Sequence, residues 1–261
     1  MQLGLEGKRA LVTASSRGIG RATAACLLRE GCRVVISARS PEGLERARAE
    51  LDAGERLTAI PADLSHPEEV EGLLDATLER LGGIDILVSN TGGPEAAGVL
   101  EATVADWRAA FDSMVLPPVA MVRRLAPGMC ERGWGRIVFV TSTWVKQPSP
   151  GGVLSAAARS AISALAKQLA LELGETGVLV HQVMPGPTWT ERSKQIVASL
   201  AAARSTNEDS VRDEVMRSLP LNRYGRPEEI ADVIAFLASE RASFATGTAI
   251  AVDGGLVKAV L

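Results

Sequence analysis

Short apolar runs alternate with longer segments of helical periodicity along the whole chain. Six mostly continuous apolar runs are typical of strands covered on both faces; they are Arg9–Thr13, Arg33–Ser37, Leu57–Ile60, Ile84–Ser89, Arg136–Thr141 and Val178–Met184. Apolar residues recur at helical spacing in the segments between them: Gly20–Arg29, Pro41–Leu51, His66–Leu81, Ala105–Arg132 and Ser155–Leu173. Because such alternation requires right-handed crossovers, the pattern predicts an α/β protein with a doubly wound parallel sheet.

Glycines and prolines indicate where the helices end or bend. Gly31, Gly82 and Gly174 each follow a helical segment, where a left-handed C-terminal cap favours glycine. Pro117 and Pro118 lie inside the fourth predicted helix. Since proline lacks the backbone N–H and its ring clashes with the preceding turn, we expect a kink there.

One long segment interrupts the strand–helix rhythm. Residues 187–222 contain two helical pieces, around Glu191–Ala203 and Glu208–Ser218, and follow the carboxyl end of the last predicted strand. A mobile lid is expected in that position, although a purely structural flap is the alternative. No linker or repeat divides the sequence, so we expect residues 1–261 to form one domain that carries this helical lid insertion.

Composition and charge exclude several classes of protein. Of the 261 residues 46% are hydrophobic, which is enough for a sizeable core, and the net charge of −3 argues against nucleic-acid or anionic-membrane partners. No apolar run reaches the roughly 18 residues of a spanning helix. Cys26, Cys32 and Cys130 lack metal-ligand spacing. We therefore expect a cytoplasmic protein without a metal site.

The segment from Thr13 to Gly20 joins the first predicted strand to the first helix and reads Thr-Ala-Ser-Ser-Arg-Gly-Ile-Gly. Its glycines permit a tight turn and close approach of a pyrophosphate, and the helix N-terminus offers free N–H groups. An ordinary strand-to-helix turn is the alternative. The candidate nucleotide-binding residues of this loop are Ser16, Arg17, Gly18, Ile19 and Gly20.

The end of the second strand indicates which nucleotide the loop binds. The chain reads Ser37-Ala38-Arg39 there, without the carboxylate that would hold a ribose 2′-hydroxyl. Arg17 and Arg39 together could clamp a 2′-phosphate with two guanidinium groups. Two solvated surface arginines are the alternative. This pattern favours NADP(H) over NAD(H).

Further motifs lie beyond the nucleotide loop. Gly135–Ser142 reads Gly-Arg-Ile-Val-Phe-Val-Thr-Ser, and Leu154-Ser-Ala-Ala-Ala-Arg159 and Leu169-Ala-Leu-Glu-Leu follow it. With the glycine-rich loop, these motifs resemble the short-chain dehydrogenase/reductase family over essentially the whole chain. The resemblance implies a Rossmann-type fold, a small-molecule carbonyl or alcohol substrate, and a homo-oligomer, tetramer or dimer, built through the fourth and fifth helices and the last strand.

The same resemblance extends the expected cofactor site. Ala14 replaces the first glycine of the family's Thr-Gly-x-x-x-Gly-x-Gly run, and we expect it to fit by holding a negative φ. The segments matching the family's adenine, ribose and nicotinamide contacts supply the remaining cofactor residues: Asp63, Leu64, Asn90, Gly92, Arg159, Pro185, Gly186, Thr188 and Thr190.

The implied catalytic site departs from the family at three of four positions. Ser142, which polarises the substrate carbonyl, is kept; the proton-donating tyrosine is Ser155, the neighbouring lysine is Arg159, and the asparagine that holds a relay water is Met114. Lys146, four residues after Ser142, is the best-placed titratable replacement, with an exposed loop lysine as the alternative. The expected catalytic residues are Ser142, Ser155, Arg159 and Lys146.

These changes leave two functions open. An alkyl hydroxyl is a far weaker acid than a phenol, and arginine stays protonated, so general acid catalysis worth about 10²–10⁴-fold is lost. The chain is either an NADP(H)-dependent oxidoreductase with an altered proton-donor site or a non-catalytic NADP(H)-binding sensor or regulatory protein. Apolar side chains favour an apolar substrate unless they only pack the wall; they are Met114, Trp144, Leu154 and Trp189.

Overall fold

The computed structural model describes residues 2–260, which contain a seven-stranded, wholly parallel sheet. The strands are β1 (Arg9–Val12), β2 (Arg33–Ala38), β3 (Leu57–Pro61), β4 (Ile86–Ser89), β5 (Gly135–Val140), β6 (Val178–Pro185) and β7 (Thr248–Val252). Their spatial order is β3-β2-β1-β4-β5-β6-β7. The predicted α/β fold with a doubly wound parallel sheet is confirmed.

Helices cover both faces of the sheet. They are α1 (Gly18–Arg29), α2 (Pro41–Leu51), α3 (Pro67–Leu81), α4 (Val104–Met114), α5 (Leu116–Glu131), α6 (Val153–Leu173), α7 (Glu191–Ala203), α8 (Glu208–Arg217) and α9 (Pro227–Ala238). Val12 and Ile36 pack with α1, α2 and α9, whereas their neighbours Leu11 and Val35 pack with α3, α5 and α6. Burial on both faces explains why the central strands are almost continuously apolar. No helix within residues 2–260 is long and apolar enough to cross a membrane.

The fourth predicted helix is two helices. α4 ends at Met114, Val115 takes φ −111° and ψ −53°, and α5 begins at Leu116 with Pro117 and Pro118 in its first turn. The first turn tolerates proline because its N–H groups have no intrahelical partner. The proline pair therefore starts a new helix instead of kinking a continuous one.

Two of the three predicted glycine caps are left-handed, and the third lies elsewhere. Gly31 has φ +86° and Gly82 has φ +72°, as expected. Gly174 was predicted wrongly: it takes φ −56° and ψ −40°, and the left-handed residue is Gly177, after one further turn of 3₁₀ helix. A Cβ at Gly177 would lie 2.3 Å from the Gly133 carbonyl oxygen. Close backbone contact, as well as the sign of φ, requires glycine there.

The segment 187–222 folds as the helices α7 and α8. They share a small apolar cluster of Val197, Ala201 and Val211, against which Trp189 packs. This cluster is distinct from the two that cover the faces of the sheet. The segment thus has a separate core and rests beside the carboxyl ends of the strands.

A charged cluster closes the opposite, amino-terminal end of the sheet. Asp85 accepts hydrogen bonds from the Arg9 backbone N–H at 3.0 Å, from Arg9 Nε at 2.8 Å and from Arg9 Nη2 at 2.6 Å, and Arg132 Nε lies 3.4 Å away. Burial alone would raise the pKa of Asp85, but these hydrogen bonds and positive charges outweigh it and lower that pKa.

We expect Asp85→Asn to lower the free energy of unfolding by about 3 kcal/mol at pH 7, because Arg9 loses its partner in a largely buried pair. In the unfolded chain the pKa of Asp85 is near ~4, and in the folded protein it is lower. The ionised carboxylate therefore stabilises the fold at pH values above ~4, and this stabilisation is lost as the pH falls through the folded-state pKa. Urea unfolding should therefore show the difference shrinking below about pH 4. Asp75→Asn, which removes an exposed partner of Arg124, is the matched control and should cost under ~1 kcal/mol.

The order of the strands fixes where a ligand can bind. Chain order reverses between β1 and β4, so the connections from these two strands run to opposite sides and open a crevice at their carboxyl ends. The loops that follow β1, β2, β4, β5 and β6 meet around this crevice. The residues predicted to bind the cofactor or act on the substrate come from these loops, from the loop after β3, from the first turn of α1, from the last residue of β6 and from α6.

Candidate active site

The loops after β1 and β4 are tied together at the crevice. Thr13 Oγ1 donates to the Asn90 carbonyl oxygen at 2.7 Å and accepts from the Asn90 N–H at 3.0 Å. Asn90 Nδ2 donates to the Ala14 carbonyl oxygen at 3.2 Å. Asn90, which the sequence predicted as a cofactor residue, therefore fixes the shape of the glycine-rich loop.

Ala14 contradicts the expected backbone conformation, because its φ is +46°. The prediction of a negative φ is wrong. The turn directs the Ala14 carbonyl toward Asn90 and beneath Gly20, where a Cβ would lie only 2.5 Å from that oxygen. The chain thus keeps the backbone geometry that the family's glycine would adopt, although an alanine in the left-handed conformation is less stable there than a glycine.

We expect Ala14→Gly to raise the free energy of unfolding by about 1 kcal/mol, because glycine adopts positive φ without a Cβ clash. The control is the same substitution one helix turn into α1: Ala22→Gly should lower stability by about 1 kcal/mol. Urea unfolding measures both. A loss of stability in Ala14→Gly would contradict the left-handed assignment.

The N-terminus of α1 has free backbone donors and no negative charge. In the described structure no side chain caps it, and its first turn holds no acidic residue. Gly18 has φ +57°, and Gly20 leaves no room for a Cβ against the Ala14 carbonyl. The first N–H groups of the helix, together with the positive end of its dipole, are therefore available to an anion.

Arg17 and Arg39 are exposed beside this helix terminus. Burial of Asp63 tends to raise its pKa, but hydrogen bonds from Ser65 and the positive charge of Arg39 outweigh burial and lower it. The Glu191 pKa is lowered chiefly by Lys194, with Arg17 contributing a weaker positive charge. Arg39 therefore stands near the loop after β3, and Arg17 stands near the start of α7. Leu64, next to Asp63, packs against the core.

Arg159 forms the centre of the predicted catalytic site. Its Nη1 donates to the Val140 carbonyl oxygen at 2.8 Å, its Nε to Ser155 Oγ at 3.3 Å, and its Nη2 to the Gly92 carbonyl oxygen at 3.4 Å. Burial lowers the pKa of the guanidinium to about 10, which leaves it charged at neutral pH. The structure thus brings α6 together with the ends of β4 and β5.

Both serine hydroxyls of the site accept a hydrogen bond from the chain. Ser142 Oγ accepts from the Trp144 N–H at 3.2 Å, and Ser155 Oγ accepts from Arg159. Since a hydroxyl carries one proton and two lone pairs, each serine can still donate to a ligand oxygen. Two O–H donors and a partly buried cation can stabilise negative charge on a substrate oxygen.

Ser89 is a neighbour of this cluster that the sequence prediction missed. Its Oγ is buried without a hydrogen-bond partner among residues 2–260, and it lines a cavity of about 10 Å³ with Arg159 and Met114. This volume is close to that of a single water molecule. Met114 is only 2% exposed and closes one wall. Ser89 opens the run Ser89-Asn90-Thr91-Gly92, which resembles the family's Asn-Asn-Ala-Gly, but the prediction assigned it no role in the site.

Lys146 lies away from the Arg159 cluster. It lines a separate cleft with Lys167 and Gln182, on the side of α6 that faces β6 and β7. Its backbone N–H donates to the Thr143 carbonyl oxygen, which places Lys146 at the end of the short 3₁₀ turn that Ser142 begins. A role for Lys146 as proton donor needs its side chain to turn toward the substrate.

The loop after β6 approaches the nucleotide loop. Gly186 has no room for a Cβ, which would lie 2.6 Å from the Asp253 Cα, and Thr188 Oγ1 donates to the Gly186 carbonyl oxygen. Thr190 caps α7, and its Cγ2 lies 3.4 Å from the position of a Cβ on Gly18. The predicted cofactor residues Pro185, Gly186, Thr188 and Thr190 are therefore carried on one loop that reaches the glycine-rich turn.

The apolar residues expected around the substrate divide into two groups. Met114 and Leu154 are buried in the wall. Trp144 and Trp189 are partly exposed. Trp144 packs so tightly on Gly152 that a Cβ there would lie 2.4 Å from the ring. Trp189 meets Tyr224, the one tyrosine of the chain, edge to face at 5.0 Å between ring centres.

Arg192, on α7, was not predicted as a site residue. Its Nη2 donates to the Pro94 carbonyl oxygen at 2.8 Å, so the first turn of α7 is bonded to the loop after β4. Residues 2–260 contain no group of three or more His, Cys, Asp or Glu residues that could hold a metal ion.

Comparison with known proteins agrees with this geometry. A family model described as enoyl-(acyl carrier protein) reductase matches residues 13–257. The chain is 33% identical to the uncharacterized oxidoreductase YvrD of Bacillus subtilis, over the whole of both chains. It is 34% identical to human dehydrogenase/reductase SDR family member 4, covering 96% of this chain and 88% of that one.

A solved structure of similar overall shape is that of L-sorbose reductase from Gluconobacter frateurii, complexed with NADPH and L-sorbose. It superposes with a TM-score of 0.94 at 31% identity and covers 100% of both chains. The sheet order, the glycine-rich turn after β1 and these similarities along the full length agree with one another. The chain belongs to the short-chain dehydrogenase/reductase family.

Proposed function

We propose that this protein is an NADP(H)-dependent oxidoreductase that acts on a small carbonyl or alcohol substrate of apolar character, with an altered proton-donor site. The observation that carries the proposal is the uncapped N-terminus of α1, flanked by Arg17 and Arg39 and free of acidic residues. The L-sorbose reductase that shares the fold was solved with NADPH. These features support a bound dinucleotide with a 2′-phosphate.

The chain's own residues would hold this cofactor at defined points. The N–H groups from Ser16 to Gly20 would bind the pyrophosphate, Arg17 and Arg39 the 2′-phosphate, and Arg159 the nicotinamide ribose. Asp63 and Leu64 would contact the adenine, and Asn90 and Gly92 would border the nicotinamide half. When bound, the cofactor supplies the hydride.

The catalytic residues would act on the substrate oxygen. Ser142 and Ser155 donate hydrogen bonds to it, and Arg159 places a positive charge behind Ser155. Their combined effect is to stabilise an oxyanion, and none of these three residues transfers a proton to it. The proton then comes from water, from the substrate itself, or from Lys146 after a change of rotamer.

This division of roles is tested with Ser142→Ala. We expect turnover of diacetyl with NADPH to fall by about 10²-fold, as when one oxyanion donor is removed, while the Kd for NADPH stays within about twofold. Thr143→Val, at the neighbouring buried position, is the matched control. Unchanged turnover in Ser142→Ala would contradict the assigned role.

A second candidate is a non-catalytic NADP(H)-binding sensor. Two substitutions favour it. Ser155 replaces the proton-donating tyrosine with a much weaker acid, and Met114 replaces the asparagine that holds a water with a side chain that cannot hold one. The two candidates differ in their response to substitution: in a sensor, Ser142→Ala and Lys146→Ala leave NADPH affinity unchanged and there is no turnover to lose, whereas in an enzyme at least Ser142→Ala lowers turnover by about 10²-fold.

We further propose that residues 187–222 act as a lid and that the protein is a homo-oligomer. The bond between Arg192 and Pro94 supports closure over the crevice. Exposed Phe111 and Leu171, on α4 and α6, and the exposed edge of β7 support self-association. Light scattering of the purified protein measures the oligomeric state, and a monomer at micromolar concentration would contradict this part of the proposal.

A further inference from the structure

Ser89 carries a buried hydroxyl that the surrounding side chains and backbone do not satisfy. It is the last residue of β4, it is 3% exposed, and its Oγ makes no hydrogen bond with any group in residues 2–260. A buried hydroxyl without a partner is destabilising, and such groups are uncommon in native proteins. The cavity of about 10 Å³ that Ser89 lines is the place where a partner can lie.

This cavity has the size and the lining of a site for one water. Four polar side chains border it, those of Ser89, Thr91, Thr141 and Arg159. Thr141 Oγ1 donates to the Val183 carbonyl oxygen at 3.2 Å and keeps lone pairs that can accept a further hydrogen bond. A buried water needs roughly two to four polar partners and a volume on the order of 10 Å³, and the cavity provides both. Larger ligands are excluded by its size.

The guanidinium of Arg159 has donors to spare for such a water. Its Nε bonds to Ser155 Oγ, and one N–H of each terminal nitrogen bonds to the carbonyl oxygens of Val140 and Gly92. Each terminal nitrogen carries a second N–H that is not used in these bonds. The bonds to Ser155 and Gly92 are long, at 3.3 and 3.4 Å, so they hold the guanidinium only weakly.

We propose that one buried water fills the cavity and joins Ser89 Oγ to the Arg159 guanidinium. The water accepts a hydrogen bond from an Arg159 Nη and donates one to Ser89 Oγ. Ser89 is thereby a positioning residue: through the water it holds Arg159 where its Nε reaches Ser155 Oγ. The consequence for catalysis rests on the proposed function, whereas the water site itself does not.

Removal of the Ser89 hydroxyl distinguishes a filled cavity from a dry one by the sign of the change in stability. In a dry cavity the hydroxyl is unsatisfied, and Ser89→Ala would stabilise the fold because it removes the desolvation cost of that group. In a filled cavity the same substitution removes a hydrogen bond to a water that is itself bonded to a cation. The fold is then destabilised.

The first measurement is urea unfolding of the full-length protein without cofactor. We expect Ser89→Ala to raise the unfolding equilibrium constant by about fivefold or more, the effect of losing one hydrogen bond of ordinary strength. Thr77→Val is the matched control, because Thr77 Oγ1 is also buried without a partner among residues 2–260 but is not part of this cavity's lining. Thr77→Val should be as stable as the wild type or more stable.

The second measurement tests the positioning role by NMR. The Arg159 Nε–H resonance, assigned by its loss in Arg159→Lys, should exchange with solvent about fivefold faster in Ser89→Ala, because exchange follows local opening of the bond to Ser155. Thr77→Val should leave this exchange rate unchanged. Both measurements use the protein without cofactor or substrate, so they decide the proposal even if the wild type proves to turn over no substrate.

A crystal structure of the wild type at atomic resolution should show one water within hydrogen-bond distance of both Ser89 Oγ and the Arg159 guanidinium. A dry cavity in that structure would overturn the proposal, and so would a Ser89→Ala variant at least as stable as the wild type. An Arg159 Nε–H exchange rate that Ser89→Ala does not change would overturn the positioning role. The crystal structure needs no variant, so it decides the water site if Ser89→Ala folds poorly.

Discussion

The double substitution Ser155→Tyr with Arg159→Lys should raise turnover of diacetyl by about 10²–10⁴-fold. It places a phenol where an alkyl hydroxyl now lies and sets an ammonium group beside it, which lowers the phenol pKa toward neutral. The expected gain is the usual contribution of a positioned general acid. The measurement is the rate of NADPH oxidation with diacetyl, and separately with L-sorbose, for wild type and variant.

Ser155→Phe with Arg159→Lys is the matched control, since it adds the same ring without the hydroxyl and should give no gain. Both variants must retain the wild-type Kd for NADPH within a few-fold, which excludes a cofactor effect. A properly folded, NADPH-binding tyrosine variant that turns over no faster than the wild type would show that proton transfer is not what limits this protein. This result would contradict the idea that the altered proton-donor site is what limits turnover.

The second large effect concerns the choice of cofactor. We expect Arg39→Gln to weaken NADPH binding by about 10- to 100-fold, because a charge-assisted hydrogen bond to a phosphate contributes about 1.5–3 kcal/mol. Binding of NADH, which lacks that phosphate, should change by less than about threefold. Arg17→Gln should also weaken NADPH binding, but by a smaller factor, because the positive charge of Arg17 already interacts with the Glu191 carboxylate.

Arg46→Gln is the control for Arg39→Gln, since it removes an equal charge from the exposed side of α2. Its NADPH affinity should stay close to that of the wild type. The converse change, Ala38→Asp, places a carboxylate at the end of β2 and should reverse the preference toward NADH. An equal loss of NADPH affinity in Arg39→Gln and Arg46→Gln would mean that net charge alone, and no clamp, governs binding.

Sequence periodicity predicted most of the fold because strands that are buried on both faces of a sheet are almost continuously apolar, and such runs are visible in the sequence. The α2 bounds agree at both ends, and those of α7 do as well. β7 was not among the strands found from the apolar pattern. It lies at the edge of the sheet, where only alternate residues are partly buried, and its Thr-Ala-Ile-Ala-Val sequence is short.

The errors occur where long-range contacts decide between equivalent local signals. Gly174 and Gly177 are both suited to a left-handed cap, and only the approach of Gly133 selects the second. Ala14 was expected at negative φ on steric grounds, but the hydrogen bond from Asn90, a residue far along the chain, is part of a turn that requires the opposite sign.

The part of the candidate site that lies within family motifs could be predicted from the sequence. Ser155 and Arg159 lie on one face of α6 because they are four residues apart, and their hydrogen bond follows from that spacing. Ser89 lies within a family motif, but its buried hydroxyl was not predicted, and Arg192 lies in no motif. Their importance depends on a cavity and on a contact between two loops, which no local pattern records.

The most direct test of the central claim is a fluorescence titration of the purified protein with NADPH and, separately, with NADH. The account predicts saturable NADPH binding in the micromolar range and NADH binding that is at least about tenfold weaker. Failure of both nucleotides to bind would contradict the oxidoreductase and the sensor alike, and would leave the uncapped N-terminus of α1 and its two arginines without a ligand.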